Sequence, residues 1–231
     1  MNIFTKIIKV LFAPIQAIPE LKGPDWLLPF ILTIVVATVT TIVVYPTVLA
    51  PIAEQQLDKQ MEKMSPEQQK GMAMAKEQLK NPTVQMVQSI VGGVFQGVGI
   101  LIIALAVMAM GAIMGGRSVK FAVIFPIVSW ASLVGVIENL IKFPLMLAKE
   151  SPYISFSPAA FLDLEAMGGP LHTFLNQINP FALWWVAIVS AGLTHHLGFA
   201  RRKSVTVLLI LGAVGALMSM LLSAIGLSFG G

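Results

Sequence analysis

Residues 83–114 read TVQMVQSIVGGVFQGVGILIIALAVMAMGAIM and contain no Asp, Glu, Lys or Arg. A helix needs roughly 20 apolar residues to cross a hydrocarbon core of about 30 Å, so this stretch is long enough to span a membrane. Four other stretches of similar or slightly shorter length lack the same residue types, and they lie between Asp25 and Glu54, between Lys120 and Glu138, between Glu165 and Arg201, and after Lys203. The sequence therefore predicts five membrane-spanning segments.

The composition agrees with a membrane environment. Hydrophobic residues make up 56% of the chain and charged residues only 11%, whereas about 25% of a soluble domain is charged. In lipid the backbone must satisfy its own polar groups, which leaves helices or a closed barrel, and unbroken apolar runs such as residues 100–110 favour helices. We therefore expect an all-α integral membrane protein. The absence of cysteine excludes disulfides, thiolate chemistry and cysteine-bound zinc.

The chain is expected to form one membrane domain over residues 1–231. Its predicted parts are an amphipathic N-terminal segment (1–22), span one (26–49), an extracytoplasmic helical hairpin (50–82), span two (83–114), span three (119–140), an extracytoplasmic loop (148–179), span four (180–200) and span five (204–229).

The N-terminal segment has the pattern of a surface helix. Ile3, Ile7 and Val10 recur at helical spacing, whereas Lys6 and Lys9 lie off that apolar stripe. Basic residues beside an apolar face are typical of a helix in the headgroup layer, so both lysines are candidate lipid or partner contacts. The alternative is a turn before the membrane that does not bind lipid by itself.

Residues 50–82 form the most polar stretch of the chain and predict two helices. Leu57, Met61 and Met64 make a helical stripe, and the run Ser65-Pro66-Glu67-Gln68 has the form of a capping box at the start of a second helix. Methionine adapts to irregular surfaces, so the stripe either grips a partner or covers the membrane domain.

The distribution of Lys and Arg predicts the orientation. Basic residues cluster before span one, between spans two and three, and between spans four and five: Lys6, Lys9 and Lys22; Arg117 and Lys120; Arg201, Arg202 and Lys203. With five spans these clusters share one side, which should be cytoplasmic, with the C-terminus on the opposite side. Span ends account for the net charge of +4, so no nucleic-acid partner is expected. The turns Gly115-Gly116-Arg117-Ser118-Val119-Lys120 and Arg201–Lys203 are candidate lipid or partner contacts.

Small residues on spans two and five predict close helix packing. Gly93 with Gly97, and Gly111 with Gly115, have GxxxG spacing on span two, and Gly212 with Ala216 repeats it on span five. We expect spans two and five to pack within one molecule, and a homo-oligomer seam is the alternative.

Glu138, Asn139 and Lys142 form the polar cluster closest to a span interior. Ionisable residues inside membranes are functional candidates, and Glu138 and Lys142 have the spacing of a helical ion pair. Glu138 lies about 27 Å beyond Lys120 at ~1.5 Å per residue, so an interfacial position is the simpler interpretation.

No motif predicts catalysis, a cofactor or a bound metal. Residues 111–118 have P-loop spacing, but Arg117 replaces the lysine and a membrane helix replaces the preceding strand. His195 and His196 are adjacent, so they point in different directions on a helix and cannot chelate one metal. Asp163 and His172 lack the sequence context of a nucleophile.

The order of several segments resembles the bacterial branch of the Yip family, the five-pass membrane proteins of the Ypt/Rab-interacting type. The segments are Pro24-Asp25-Trp26-Leu27-Leu28-Pro29, Met64-Ser65-Pro66-Glu67-Gln68, Gly115-Gly116-Arg117-Ser118-Val119-Lys120-Phe121 and Asn179-Pro180-Phe181-Ala182-Leu183-Trp184-Trp185. The likeness covers the whole chain, although Asn179-Pro180 stands where relatives often have an acid.

The resemblance implies five spans, a cytoplasmic N-terminus and, for a bacterial member, the inner membrane. Eukaryotic relatives are associated with Rab-type GTPases, but the N-terminal region here is too short to offer a folded GTPase-binding surface. The expected function is a non-enzymatic scaffold that organises membrane or partner proteins. The alternative is a small permease, or a transporter or channel subunit, with a polar path at Glu138, Asn139 and Lys142.

Overall fold

The computed structural model describes residues 2–21, 23–62, 64–115, 118–162 and 169–224. Every regular element within these ranges is helical, so the all-α class is confirmed. The α-helices are α1 (Ile3–Phe12), α2 (Pro14–Ala17), α3 (Leu27–Val44), α4 (Ala50–Met61), α5 (Pro66–Leu79), α6 (Pro82–Gly115), α7 (Phe121–Ala131), α8 (Leu133–Lys149), α9 (Pro170–Asn176), α10 (Pro180–Leu197) and α11 (Arg201–Ala224).

Within the described residues, four helical runs are long and apolar enough to cross a membrane. They are Leu27–Met61 with 35 residues, Pro82–Gly115 with 34, Phe121–Lys149 with 29 and Arg201–Leu222 with 22. These runs overlap the predicted spans one, two, three and five. The remaining predicted span, span four, corresponds to α10, which has 18 residues. Two tryptophans near its start and two histidines at its end lower its hydropathy, so the count of five spans stays a prediction.

The helix of the first span continues into the polar region without a break, and the predicted end of span one at residue 49 stays a prediction. A π-helical turn, Tyr45–Leu49, joins α3 to α4, and the N–H of Ala50 donates to the carbonyl of Tyr45, five residues earlier. Pro46 lacks an N–H and cannot support regular helical hydrogen bonding, and the wider turn accommodates it.

The chain divides into two compact units. The first comprises Met1–Thr33, Gly97–Glu138 and Ser155–Gly231, and the second comprises Ile34–Gln96 and Asn139–Ile154.

The first unit is organised around α7 and α10, which pack against each other. A Cβ atom on Gly192 would overlap Ile127, with two side-chain carbons of Ile127 at 3.0 Å. Gly192 lies about one and a half turns before the end of α10, and Ile127 about one and a half turns after the start of α7. The end of α10 therefore lies beside the start of α7, as expected for antiparallel helices.

The beginning of span one also packs in the first unit. The Trp26 ring lies 4.9 Å from the Phe125 ring, and the Phe30 ring lies 5.4 Å from it, both at a steep angle. Further along, the hydroxyls of Thr33 and Ser132 are 2.9 Å apart and buried. These contacts fix span one beside span three over about two turns.

The described part of residues 148–179 is mostly irregular. A 3₁₀ turn at Pro158–Phe161 and helix α9 are its regular elements, and α9 packs against α11. The Ser155 hydroxyl donates to the Asn176 side chain at 2.8 Å. The segment is therefore folded back on the first unit at these points.

The second unit contains α4 and α5, which pack as the hairpin that the capping box indicated. Lys76 bonds both carboxylate oxygens of Asp58 at 2.7 Å, and Lys80 lies 3.5 Å from Glu54. The extramembrane position of the hairpin stays a prediction. In the same unit the Tyr45 hydroxyl donates to the side chain of Gln88.

Gly93 is the closest packing point of the second unit. A Cβ atom there would overlap the hydroxyl of Thr38 and lie 3.1 Å from its Cβ and 3.3 Å from the carbonyl oxygen of Ile34. The hydroxyl can rotate, but a backbone carbonyl within a helix cannot move away. Glycine is therefore needed where span two crosses span one.

We expect Gly93→Ala to lower the free energy of unfolding by about 1–3 kcal/mol, as overpacking does in well-packed sites. Gly92→Ala is the matched control, because a Cβ atom there meets nothing within 4 Å. It should be neutral or stabilise by up to about 1 kcal/mol through helix propensity. Denaturant unfolding in mixed micelles measures both, and equal stability of the two variants would contradict the packing.

Candidate functional site

The first candidate turn follows α6. Gly115 is the last residue of α6, and Gly116 and Arg117 lie outside the described residues. Val119 is buried, whereas Lys120 is exposed and extended just before α7. The buried valine anchors the turn, and the neighbouring lysine points away from the core.

The second candidate turn joins α10 to α11. Gly198 ends α10 in the left-handed conformation, with φ 64°, which glycine adopts without strain. Phe199 is buried, and the Lys203 ammonium lies 5.0 Å from the centre of its ring. Arg201 and Arg202 occupy the first turn of α11 and are exposed.

The two turns meet at Gly111. A Cβ atom on Gly111 would lie 3.5 Å from Leu197 and 3.7 Å from Val119. Leu197 immediately precedes the second turn, and Val119 belongs to the first. The cations of both turns, Lys120, Arg201, Arg202 and Lys203, therefore occupy one side of the first unit, and we call this group the cationic edge.

Lys6 and Lys9, the other predicted lipid contacts, are paired with carboxylates. Lys6 forms an ion pair with Asp25, and its side chain is only 17% exposed. Lys9 lies 3.2 Å from Glu20. Their assignment as lipid or partner contacts stays a prediction, but these pairs reduce the charge that each lysine can offer to a headgroup.

Glu138, Asn139 and Lys142 all lie on α8, and each is half-buried. Half-burial fits a cluster at the membrane interface, where the lysine stem lies along apolar surface, and it also fits the wall of a polar path. The transport alternative therefore stays a prediction.

The small residues differ in what they face. Gly97 is buried, Gly93 packs against Thr38, and Gly111 packs against Leu197. Ala216 is buried, but Gly212 is exposed and a Cβ atom there would meet nothing within 4 Å. Gly212 therefore makes no close contact within the described part of the chain, and the packing of spans two and five against each other stays a prediction. An oligomer seam at Gly212 stays a prediction.

Several contacts have no counterpart in the sequence analysis. The Trp184 indole N–H donates to the carbonyl of Leu11 at 2.8 Å, and Asp25 and Glu20 pair with the N-terminal lysines. The acids near span one were a usable signal, since they lie within reach of a helix carrying two lysines. Nothing in the sequence marks Trp184 as the partner of Leu11.

The side-chain chemistry offers no assembled catalytic centre in the described ranges. They contain no group of three His, Asp or Glu residues that could hold a metal. His195 and His196 contact each other edge to face, with ring centres 4.8 Å apart. His172 is buried on α9, and Asp163 lies outside the described residues. Gly111 and Gly115 are helical, unlike the glycines of a phosphate-binding loop.

These features define a polytopic α-helical membrane protein with a basic edge built from two inter-helix turns. The model of one family, the Yip1 domain, matches residues 8–223, so the chain belongs to the Yip1 family. The family resemblance found in the sequence is confirmed, and a bacterial origin stays a prediction. No curated protein and no solved structure matches the chain significantly.

We expect Gly111→Leu to separate the two basic turns, because its side chain would occupy the space now filled by Leu197 and Val119. Gly111→Ala is the control, since its added methyl would make ordinary van der Waals contacts. The chain has no native cysteine, so thiol crosslinking of a Lys120→Cys, Arg202→Cys pair measures the separation. The crosslinking yield should fall several-fold with Leu and little with Ala, and equal yields would contradict the meeting of the turns.

Proposed function

We propose that this Yip1-family protein is a non-enzymatic membrane scaffold whose cationic edge binds anionic lipid headgroups or the acidic surface of a docking protein. The observation that supports this most directly is the packing of Gly111 against Leu197 and Val119. It brings four cations from distant parts of the chain to one edge. Neither turn contains a carboxylate that could neutralise them.

The position of Arg201 and Arg202 favours an anionic ligand. They occupy the first turn of α11, where the helix dipole is positive and a cation costs typically 0.3–1 kcal/mol. The unbonded N–H groups of a first helical turn also bind anions. A phosphate or carboxylate placed there would relieve the repulsion and accept these hydrogen bonds.

Burial of the neighbouring apolar side chains holds the edge in place. Phe199 and Val119 are buried beside the cations, and Lys203 is half-buried against Phe199. Lys203 therefore has less freedom to reach a ligand than Arg201 and Arg202. These two arginines and Lys120 are the principal contacts of the proposed interface.

The proposal includes an orientation. The cationic edge lies on the cytoplasmic side of a bacterial inner membrane, because positive loops are retained there and because anionic lipids attract them. The hairpin of α4 and α5 is extracytoplasmic in this proposal and forms a second contact surface. Its exposed Met74 supports this role, because methionine fits varied partner surfaces.

Replacing Lys120, Arg201 and Arg202 with Gln should weaken binding of a short-chain phosphatidylglycerol to the solubilised protein. Basic residues near an anionic surface contribute about 1 kcal/mol each, so we expect a loss of roughly 100-fold. Native mass spectrometry or calorimetry at fixed ionic strength measures the affinity.

The matched control removes the same charge elsewhere, with Lys59, Lys70 and Lys149 changed to Gln, since all three are exposed and lie outside both turns. Equal affinity of the two triple variants would overturn the lipid interface. Photoreactive residues at positions 120 and 202 in native membranes then distinguish the two ligand classes by the adducts they form. The absence of both lipid and protein adducts would overturn the scaffold proposal.

A further inference from the structure

The N-terminal helix α1 exposes an aromatic and aliphatic stripe. Phe4 is 69% exposed and Phe12 is 73% exposed, and Ile8 lies between them on the same side of the helix. In α2, Ile15 continues the exposed apolar surface. Such a surface is unfavourable in water, so it needs an apolar environment.

The adjacent side of α1 is fixed to the first unit. Val10 and Leu11 are buried, and the Leu11 carbonyl accepts a hydrogen bond from the Trp184 indole at 2.8 Å. The Phe12 ring lies 5.5 Å from the Trp184 ring. The stripe is therefore held in one orientation.

The third side of α1 carries the charges, and they are paired within the chain. Lys6 pairs with Asp25 and Lys9 with Glu20, so neither lysine is a free cation for headgroups. Attraction to anionic lipid is thus a weak basis for membrane binding by this helix.

The exposed apolar residues elsewhere on the protein indicate what covers the stripe on α1. Leu183, next to Trp184 on α10, is 60% exposed. The long apolar helices α3, α6 and α11 expose the same kind of aliphatic surface. We propose that α1 is inserted among the acyl chains of the bilayer, and that apolar burial, not headgroup charge, holds it there.

The contacts of α1 also define its tilt. Near the start of α1, Lys6 pairs with Asp25, and the neighbouring Trp26 contacts Phe125 of α7. Phe125 lies about 6 Å along α7 from Phe121, which follows Lys120 of the cationic edge. At its other end, Leu11 bonds Trp184, which lies about 20 Å along α10 from Leu197 at the same edge. If α10 crosses the bilayer, these distances from the cationic edge are depths in the membrane, and Phe12 lies deeper than Phe4. A helix in the headgroup plane would hold both residues at one depth.

Site-directed spin labelling tests the insertion, because the chain has no native cysteine. Phe4→Cys and Phe12→Cys are labelled in the full protein in liposomes, and the accessibility to oxygen is compared with that to a water-soluble nickel chelate. Ile102→Cys, 60% exposed on the spanning helix α6, is the lipid reference, and Lys70→Cys on α5 is the water reference.

We expect both stripe positions to resemble Ile102, with the label at position 12 deeper than that at position 4. Nickel accessibility equal to that of Lys70 would overturn the insertion. Low accessibility to both reagents would overturn it too and would indicate a protein partner or a second copy. Equal depths would overturn the tilt.

Two further measurements separate the insertion from the cationic edge. High salt, neutral lipid or the triple Gln variant at Lys120, Arg201 and Arg202 should leave the labels in lipid, and their release would show that charge holds α1. Trp184→Phe keeps an aromatic ring beside position 12 but removes the hydrogen bond to the Leu11 carbonyl, so the mobility of the label at position 12 should rise. Unchanged mobility would overturn the role of Trp184 as the positioning residue.

Discussion

In hydrocarbon, every backbone N–H and C=O must find its partner within the protein, and the rest of this structure depends on that constraint. Two hydroxyls of α3 obey it too. Thr33 bonds the carbonyl of Pro29 at 2.8 Å, and Thr41 bonds that of Ala37 at 2.9 Å. Since polar groups are largely satisfied within their own helices, contact between helices depends on shape, as at Gly93, Gly111 and Gly192.

The sequence predicted the helices well because the membrane imposes a length and a polarity that one helix must meet alone. Residues 83–114 were expected as a span, and α6 covers Pro82–Gly115. The packing partners were less predictable. A glycine in a membrane helix indicates that another backbone can approach, but it does not identify the helix that does so. Gly93 packs against Thr38, whereas Gly212 is exposed.

The candidate site was predictable only in part, for the same reason. Charge clustering identified both basic turns, but their meeting depends on Leu197 and Val119, which are ordinary apolar residues in the sequence. Pairing of Lys6 with Asp25 joins residues separated by a turn and a short helix, so the acids near span one indicate candidate partners but not which lysine each one pairs with. Local sequence patterns predict individual helices, whereas these contacts form only when the helices pack together.

The proposed surfaces would act on a membrane through different forces. The cationic edge would act through charge, which salt screens within about 8–10 Å at physiological concentration. Helix α1 would act through volume, since its side chains would displace lipid from the hydrocarbon core. An insertion of that kind does not weaken when salt screens charges.

The π-helical turn at Tyr45–Leu49 has a consequence for how the hairpin evolves. Such a turn holds one residue more than an α-helical turn, and each residue rotates the following helix by about 100°. Loss of Pro46 would remove both the proline and the extra residue, and it would rotate α4, with Glu54 and Asp58, relative to α3. A one-codon deletion would thus redirect the whole polar hairpin while leaving every side chain of it unchanged.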